Sequence, residues 1–383
     1  MTSATFDFTR CPDRTTLPGL KWGKYAARDI LPLWVADMDF AAAPEITQAL
    51  TARAAHPVYG YAHPWPSLVE ATVEGVLAHH HWRIEPDWLV WLPGVVPGFN
   101  VACRMAGCAG SDVLFATPAY PPFFAAPPNQ QQRAVGVPMV QEDGLWRLDY
   151  AALEAAITPA SRMLLLCSPH NPTGRVFRAE ELHWLGDFCQ RHDLLVCSDE
   201  IHCGLVLDDE RTPHIPFATL APELARRTIT LMAPSKTWNI AGLQCAFAII
   251  PDAALRQRFR QAMAGLVEAP NLLGMVAAEA AWRHGAPWLA ALKAQLRENL
   301  LRVTDAVAQM PGCAMITPEA TFLAWIDCRD SGVDNPARFF EDAGVGLSDG
   351  RDFGAPGFVR LNFACAPAVL QEALTRMTRA LRP

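Results

Sequence analysis

The middle of the chain alternates short apolar runs with amphipathic stretches. RMLLLCSP, DLLVCSDE, TITLMAPS and CAFAIIP read as strands, apolar along their whole length, and WLVWLPG has the same character. RAEELHWLGDFCQRH and AALRQRFRQAMAGL have the spacing of helices with one apolar face. Continuously apolar strands alternating with helices predict an α/β layer whose mostly parallel sheet is buried on both sides. From about Trp288 the pattern changes. PWLAALKAQLRENLLRVTDAVAQM predicts one long helix, stopped by Pro311-Gly312. TFLAWIDC and FVRLNFAC follow as strands, and LQEALTRMTRAL as a last amphipathic helix. This predicts a large α/β domain over 44–287 and a smaller α/β domain built from 1–43 and 288–383. PPFFAAPPNQQQR reads as a Pro-rich loop.

Composition narrows the class. A chain of 383 residues exceeds what one core usually supports. A net charge of −7 argues against nucleic acid or an anionic membrane as the main partner. No apolar run reaches the ~18 residues that span a bilayer. The start, MTSATFDFTRCPDRT, has neither the basic nor the apolar region of a secretory signal. The 11 cysteines are odd in number and show no CxxC pair, which fits free thiols in a reducing cytoplasm. His79, His80 and His81 are consecutive, so on a helix they point about 100° apart and cannot close on one metal ion; they read as surface.

The candidate chemistry sits where the strands end. In such sheets ligands gather at the carboxyl ends of the strands. WLVWLPG leads to GVVPGFN, MLLLC to SPHNPTG, LLVC to SDEIH and TITLM to APSK. Val95 and Val96 at a strand-to-helix turn offer free amides to an anion, or form an ordinary turn. Asn171 is a ligand donor or part of an Asn-Pro turn. Asp199 and His202 are a cation partner and its neighbour, or a cap and a core histidine. Arg360, between apolar residues in a strand, demands an anion, from the protein or from a substrate carboxylate. Tyr120 and Tyr61 are turn aromatics that pack or bind. Lys236 stands between two buried runs, where an amine is either paired or a nucleophile.

Together these segments resemble the fold-type I pyridoxal-phosphate enzymes of the class I/II aminotransferase superfamily, and more narrowly the cystathionine β-lyase (C–S lyase) branch. LPLWVADMDF, YGY, PGVVP, SPHNPTG, SDEIH, APSKTWNIAGL, PEATFLAWID and DFGAPGFVRLN occur in family order. The resemblance implies that Lys236 carries the cofactor covalently and Asp199 pairs with its ring nitrogen. It implies that Asn171 donates to the phenolic oxygen with His202 nearby, and that Tyr120 stacks on the ring. Val95, Val96 and Ser235 would hold the phosphate, helped by Tyr61 from the second subunit of a homodimer. Arg360 would bind the substrate carboxylate with the backbone near Ala36 and Asn171. Trp238 and Trp65 are candidates for shaping the pocket. Ala233 and Gln244 stand where the wider superfamily has Gly or Ser and Arg, which removes one phosphate partner. The implied reaction is β-elimination of a thiol from cystathionine or another S-substituted cysteine, giving pyruvate and ammonia. An aminotransferase shares every step up to the carbanion, and a binding protein without turnover is the rival of another class.

Overall fold

The computed structural model describes residues 6–382. The first five residues of the leader reading, and the two extremities of the small-domain span, lie outside them. The central sheet has eight strands, in the order Leu89–Leu92, Ala246–Ile249, Thr228–Met232, Leu195–Asp199, Ser161–Cys167, Asp112–Thr117, Arg133–Glu142 and Leu145–Leu148. Thr228–Met232, Leu195–Asp199, Ser161–Cys167, Asp112–Thr117 and Arg133–Glu142 pair in parallel. Ala246–Ile249 is antiparallel to both its neighbours. The last hairpin turns at Asp143-Gly144, whose φ values of 51° and 72° are those of the tight turn that matches strand twist.

The central parallel strands are mostly apolar and buried because helices cover both faces, whereas the outer Arg133–Glu142 is exposed at both ends. Thr228–Met232 is buried at every position, and each large aliphatic side chain removed from water there contributes about 1.5–3 kcal/mol. Helix Val95–Ala106 lies against this strand through Gly98, where an added Cβ would stand 2.9 Å from Leu231 Cδ2 and 3.0 Å from Leu92 Cδ1. That close approach keeps the helix start level with the strand ends. A side chain at Gly98 would force the Leu231 and Leu92 methyls to move.

The second unit is a four-stranded antiparallel sheet of Ala314–Met315, Leu323–Asp327, Phe358–Asn362 and Ser348–Asp349. Helices Ala286–Val307 and Pro367–Ala380 pack on it. The N-terminal segment joins its edge: Leu31–Pro32 pairs in parallel with Val345–Gly346, and Asn362 N donates to Leu33 O at 2.9 Å. Leu33, Met38 and Phe40 share a core with Leu292, Leu296, Leu361 and Leu374.

Two local readings need correction. The Pro-rich segment is not all loop: Pro121–Ala125 is a short helix and Pro128–Gln130 a 3-10 turn, because proline is favoured in a first helical turn. The histidine run is not all surface. His80 is buried with Nε2 3.3 Å from Cys203 Sγ, and His79 packs edge-on against Trp238. The helix turns these rings inward while His81, just beyond its end, stays exposed.

Candidate active site

Thr228–Met232 ends at Ala233, and the one-turn helix Pro234–Thr237 then presents Lys236. Its Nζ donates to Ala36 O at 2.7 Å. Among the described residues no carboxylate lies within ion-pair distance of this amine. Burial, then the charge of Arg360, lowers its pKa from 10.5 to about 8. An amine so placed is a ready nucleophile and base near neutral pH.

The neighbouring strands deliver acid and amide groups beside it. Asp199 closes Leu195–Asp199 and is buried, with Ile201 N donating to Oδ1 at 3.2 Å. Burial raises its pKa to about 7, against the opposing pull of the Ile201 N–H and the Lys236 charge, and no cation forms an ion pair with it among the described residues. Asn171, beyond Ser161–Cys167, is buried and accepts from Arg360 Nη1 through Oδ1 at 3.0 Å. A guanidinium only donates, so Asn171 must turn its oxygen to the arginine and its N–H groups elsewhere. His202 is fully buried, burial lowers its pKa to about 3, and its Nδ1 has no partner among the described residues. Tyr120, half-buried, precedes helix Pro121–Ala125, and burial raises its pKa. Helix Val95–Ala106 begins after the extended Gly94 with no side-chain cap. Pro97 has no N–H, so Val95 and Val96 supply the free amides of the first turn. Ser235 is buried beside Lys236.

The opposite wall belongs to the second unit. Arg360, in Phe358–Asn362, donates to Trp34 O at 3.1 Å and Ser348 Oγ at 3.3 Å, besides Asn171. Its Nε has no partner, and no carboxylate pairs with it among the described residues. Burial lowers its pKa to about 10. A buried guanidinium held only by neutral acceptors is built to receive an anion. Lys236, Arg360, Tyr120 and Ala36 line one cleft of about 510 Å³. Tyr61 is fully exposed and does not line the cleft of its own chain.

Several positioning residues escaped the sequence reading. Asn239 Nδ2 donates to Met38 O and Phe40 O at 3.1 and 2.9 Å, and its Oδ1 accepts from Met38 N at 2.9 Å. Asn362 Nδ2 donates to Val35 O and Asp37 O, both at 2.6 Å. Lys21 and Arg14 bind Asp39 at 2.9 and 2.8 Å. These contacts fix the segment that puts Ala36 O on Lys236. Asn239 lay within the segment quoted around the lysine, and its φ of 57° marks a turn that Asn tolerates. The two tryptophans are corrections. Trp238 is buried against Trp282 at 4.8 Å, and Trp65 Nε1 donates to Glu279 at 2.6 Å; neither lines the cleft.

The buried, uncompensated groups fit a ligand that is anionic at one end and carries a cationic ring nitrogen. Among the described residues Asp199 has no ion-pair partner, Arg360 and His202 each keep an orphan nitrogen, and a helix start offers two amides.

Known proteins share this architecture along its length. Cystathionine beta-lyase PatB of Bacillus subtilis is 34% identical over 391 residues, 98% of this chain and 100% of the relative. The solved structure of OvoB is 48% identical with a TM-score of 0.95, covering 98% of each chain. Cystalysin from Treponema denticola, whose structure contains pyridoxal 5'-phosphate, is 33% identical with a TM-score of 0.94, covering 98% of this chain and 99% of its own. Residues 28–377 match the profile of aminotransferase class I and II. The chain belongs to the aminotransferase class I and II family.

Proposed function

We propose that this protein is a pyridoxal-phosphate-dependent C–S β-lyase that cleaves cystathionine or a related S-substituted cysteine to a thiol, pyruvate and ammonia. The observation that carries the reading is the pairing, across one cleft, of a lysine with its pKa lowered to about 8 and a buried arginine with no carboxylate partner. The likeness to a cystathionine β-lyase and to a cofactor-bearing cystalysin supports it.

Pyridoxal phosphate, when bound, supplies an electron sink that acidifies the substrate Cα–H and loosens its Cβ–S bond. Lys236 would carry the group, Asp199 would hold the proton on its ring nitrogen, and Asn171 and His202 would serve its phenolic oxygen. Tyr120 would cover the ring, while Val95, Val96 and Ser235 take the phosphate. Arg360, with the backbone at Ala36 and the amide of Asn171, fixes the substrate α-carboxylate and so sets which bond at Cα lies in line for cleavage. Lys236, as a free amine, would take the α-proton at Nζ; its lowered pKa leaves a useful fraction neutral at pH 7–8. Ala36 O, which accepts from Nζ at 2.7 Å, is a natural guide for that movement.

A homodimer belongs to the same proposal. Tyr61, Tyr59 and Val58 are exposed together, and Tyr61 would reach the phosphate of the partner subunit. We assign the enzyme to the cytoplasm because its 11 cysteines are all free thiols; no helix among the described residues is long and apolar enough to cross a membrane. We also keep the division into 44–287 and 1–43 with 288–383. The decisive experiment is to incubate the holoenzyme with L-cystathionine, with and without a 2-oxo acid. Acceptor-independent release of thiol and pyruvate in equal amounts is expected. Turnover only with the acceptor, the thioether surviving, would make the protein an aminotransferase.

A further inference from the structure

The second unit carries a pair of cysteines that the lyase reaction does not use. Strand Ala314–Met315 runs antiparallel to Leu323–Asp327, with Ala314 opposite Asp327 and Met315 opposite Ile326. One step further along the same register, Cys313 stands opposite Cys328. The two backbones stay together past that point, since a Cβ on Gly312 would lie 2.1 Å from Asp330 O. Cys313 N donates to Met310 O and Cys328 N to Gly357 O, so the two cysteines exchange no backbone hydrogen bonds. Opposed residues of that kind have Cα atoms about 4.5 Å apart with side chains on one face. This is within the roughly 4.4–6.8 Å that a disulfide spans.

We propose that Cys313 and Cys328 are a built-in dithiol that hydrogen peroxide converts to a reversible cross-strand disulfide. The Cys313 sulfur attacks one peroxide oxygen, the O–O bond breaks, and water leaves after protonation. Cys328 sulfur then attacks the resulting S–OH, the S–S bond forms and a second water leaves. Two thiols lose two electrons and two protons, and the peroxide is reduced to two waters. The division of roles follows from position. Cys313 is half-buried and reachable, whereas Cys328 is fully buried. Contact with the Cys313 sulfur, and then burial, raises the pKa of Cys328, while the same contact lowers that of Cys313. The more exposed sulfur is thus the better thiolate and its neighbour the resolving thiol.

The test is to treat the holoenzyme with a few equivalents of hydrogen peroxide, alkylate the remaining thiols, and map peptides without reduction. One cross-linked pair joining Cys313 to Cys328 is expected, with nine of the 11 cysteines still alkylated and full reversal by dithiothreitol. The oxidised wild type should melt a few degrees above the reduced form, and this difference should vanish in both Cys313→Ser and Cys313→Ala. Cys313 recovered as alkylated thiol or as sulfinic acid, with Cys328 free, would overturn the proposal. So would an unchanged melting difference in the two variants.

Discussion

The two walls of the cleft are built by different means. On the sheet side, Asn171, Asp199 and Lys236 each follow a buried parallel strand, and the fold aligns them because the strands share a direction. On the other side, Arg360 and Ala36 are held by a clasp of side-chain amides and carbonyls reaching from the N-terminal segment to the small sheet. Regular secondary structure sets the first wall, and individual polar contacts set the second. The sheet wall should therefore answer to charge and chemistry, and the clasp to geometry.

The largest effect separating the walls is expected at Arg360. Arg360→Ala removes the anion receptor and should lower kcat/KM for the amino-acid substrate by roughly 10²–10³-fold, through KM as binding is lost and through kcat as the Cα–H bond loses its alignment. The cofactor should still bind, because Asp199 and Lys236 lie on the other wall, but its band should shift, since the Arg360 charge lowers the pKa of Lys236 and its guanidinium holds Asn171. A loss of the cofactor band would show that the walls are not separable. Next comes the clasp. Asn362→Ala strips a buried donor from Val35 O and Asp37 O; it should cost about 1–3 kcal/mol of stability and lower kcat by about tenfold or more as Ala36 shifts. Asn362→Asp keeps the shape but replaces the donor, so it should not rescue. Steady-state kinetics with urea titration reads both.

A smaller effect is the pH dependence of the cofactor-free protein. Asp199 is raised by burial from 3.8 to about 7. Between these values the folded chain keeps a proton that the unfolded chain has lost. That contribution to stability is fully present below about pH 4 and is lost as pH rises through about 7. The slope should amount to a few kcal/mol, flatten in Asp199→Asn, and shrink when cofactor places a cation beside the carboxylate. Denaturation midpoints at pH 5 and 7.5, with and without cofactor, measure it.

This contrast also explains what could be read from the sequence. Strand ends announce themselves: an apolar run stopping at SDE or APSK locates Asp199 and Lys236 before any coordinates exist. Arg360 was legible because a lone charge among apolar residues demands a partner. Asn239, Asn362 and Ser348 were not, since an Asn or Ser that holds a distant carbonyl looks like any other. Trp238 misled for the complementary reason: adjacency to the lysine in sequence is not adjacency in the cleft, and the short helix turns it into the core. The hairpin Arg133–Glu142 with Leu145–Leu148 went unread, although Asp143-Gly144 is its usual turn.

Cofactor attachment and proton transfer converge on one amine. Pure holoenzyme should be yellow, and borohydride should fix the cofactor to a single lysine. Peptide mapping of the reduced protein is predicted to find the label on Lys236, and Lys236→Ala should carry none and lose activity by about 10³-fold or more. Label on another lysine, or a fully active Lys236→Ala protein, would contradict the assignment of the cleft as the reacting site.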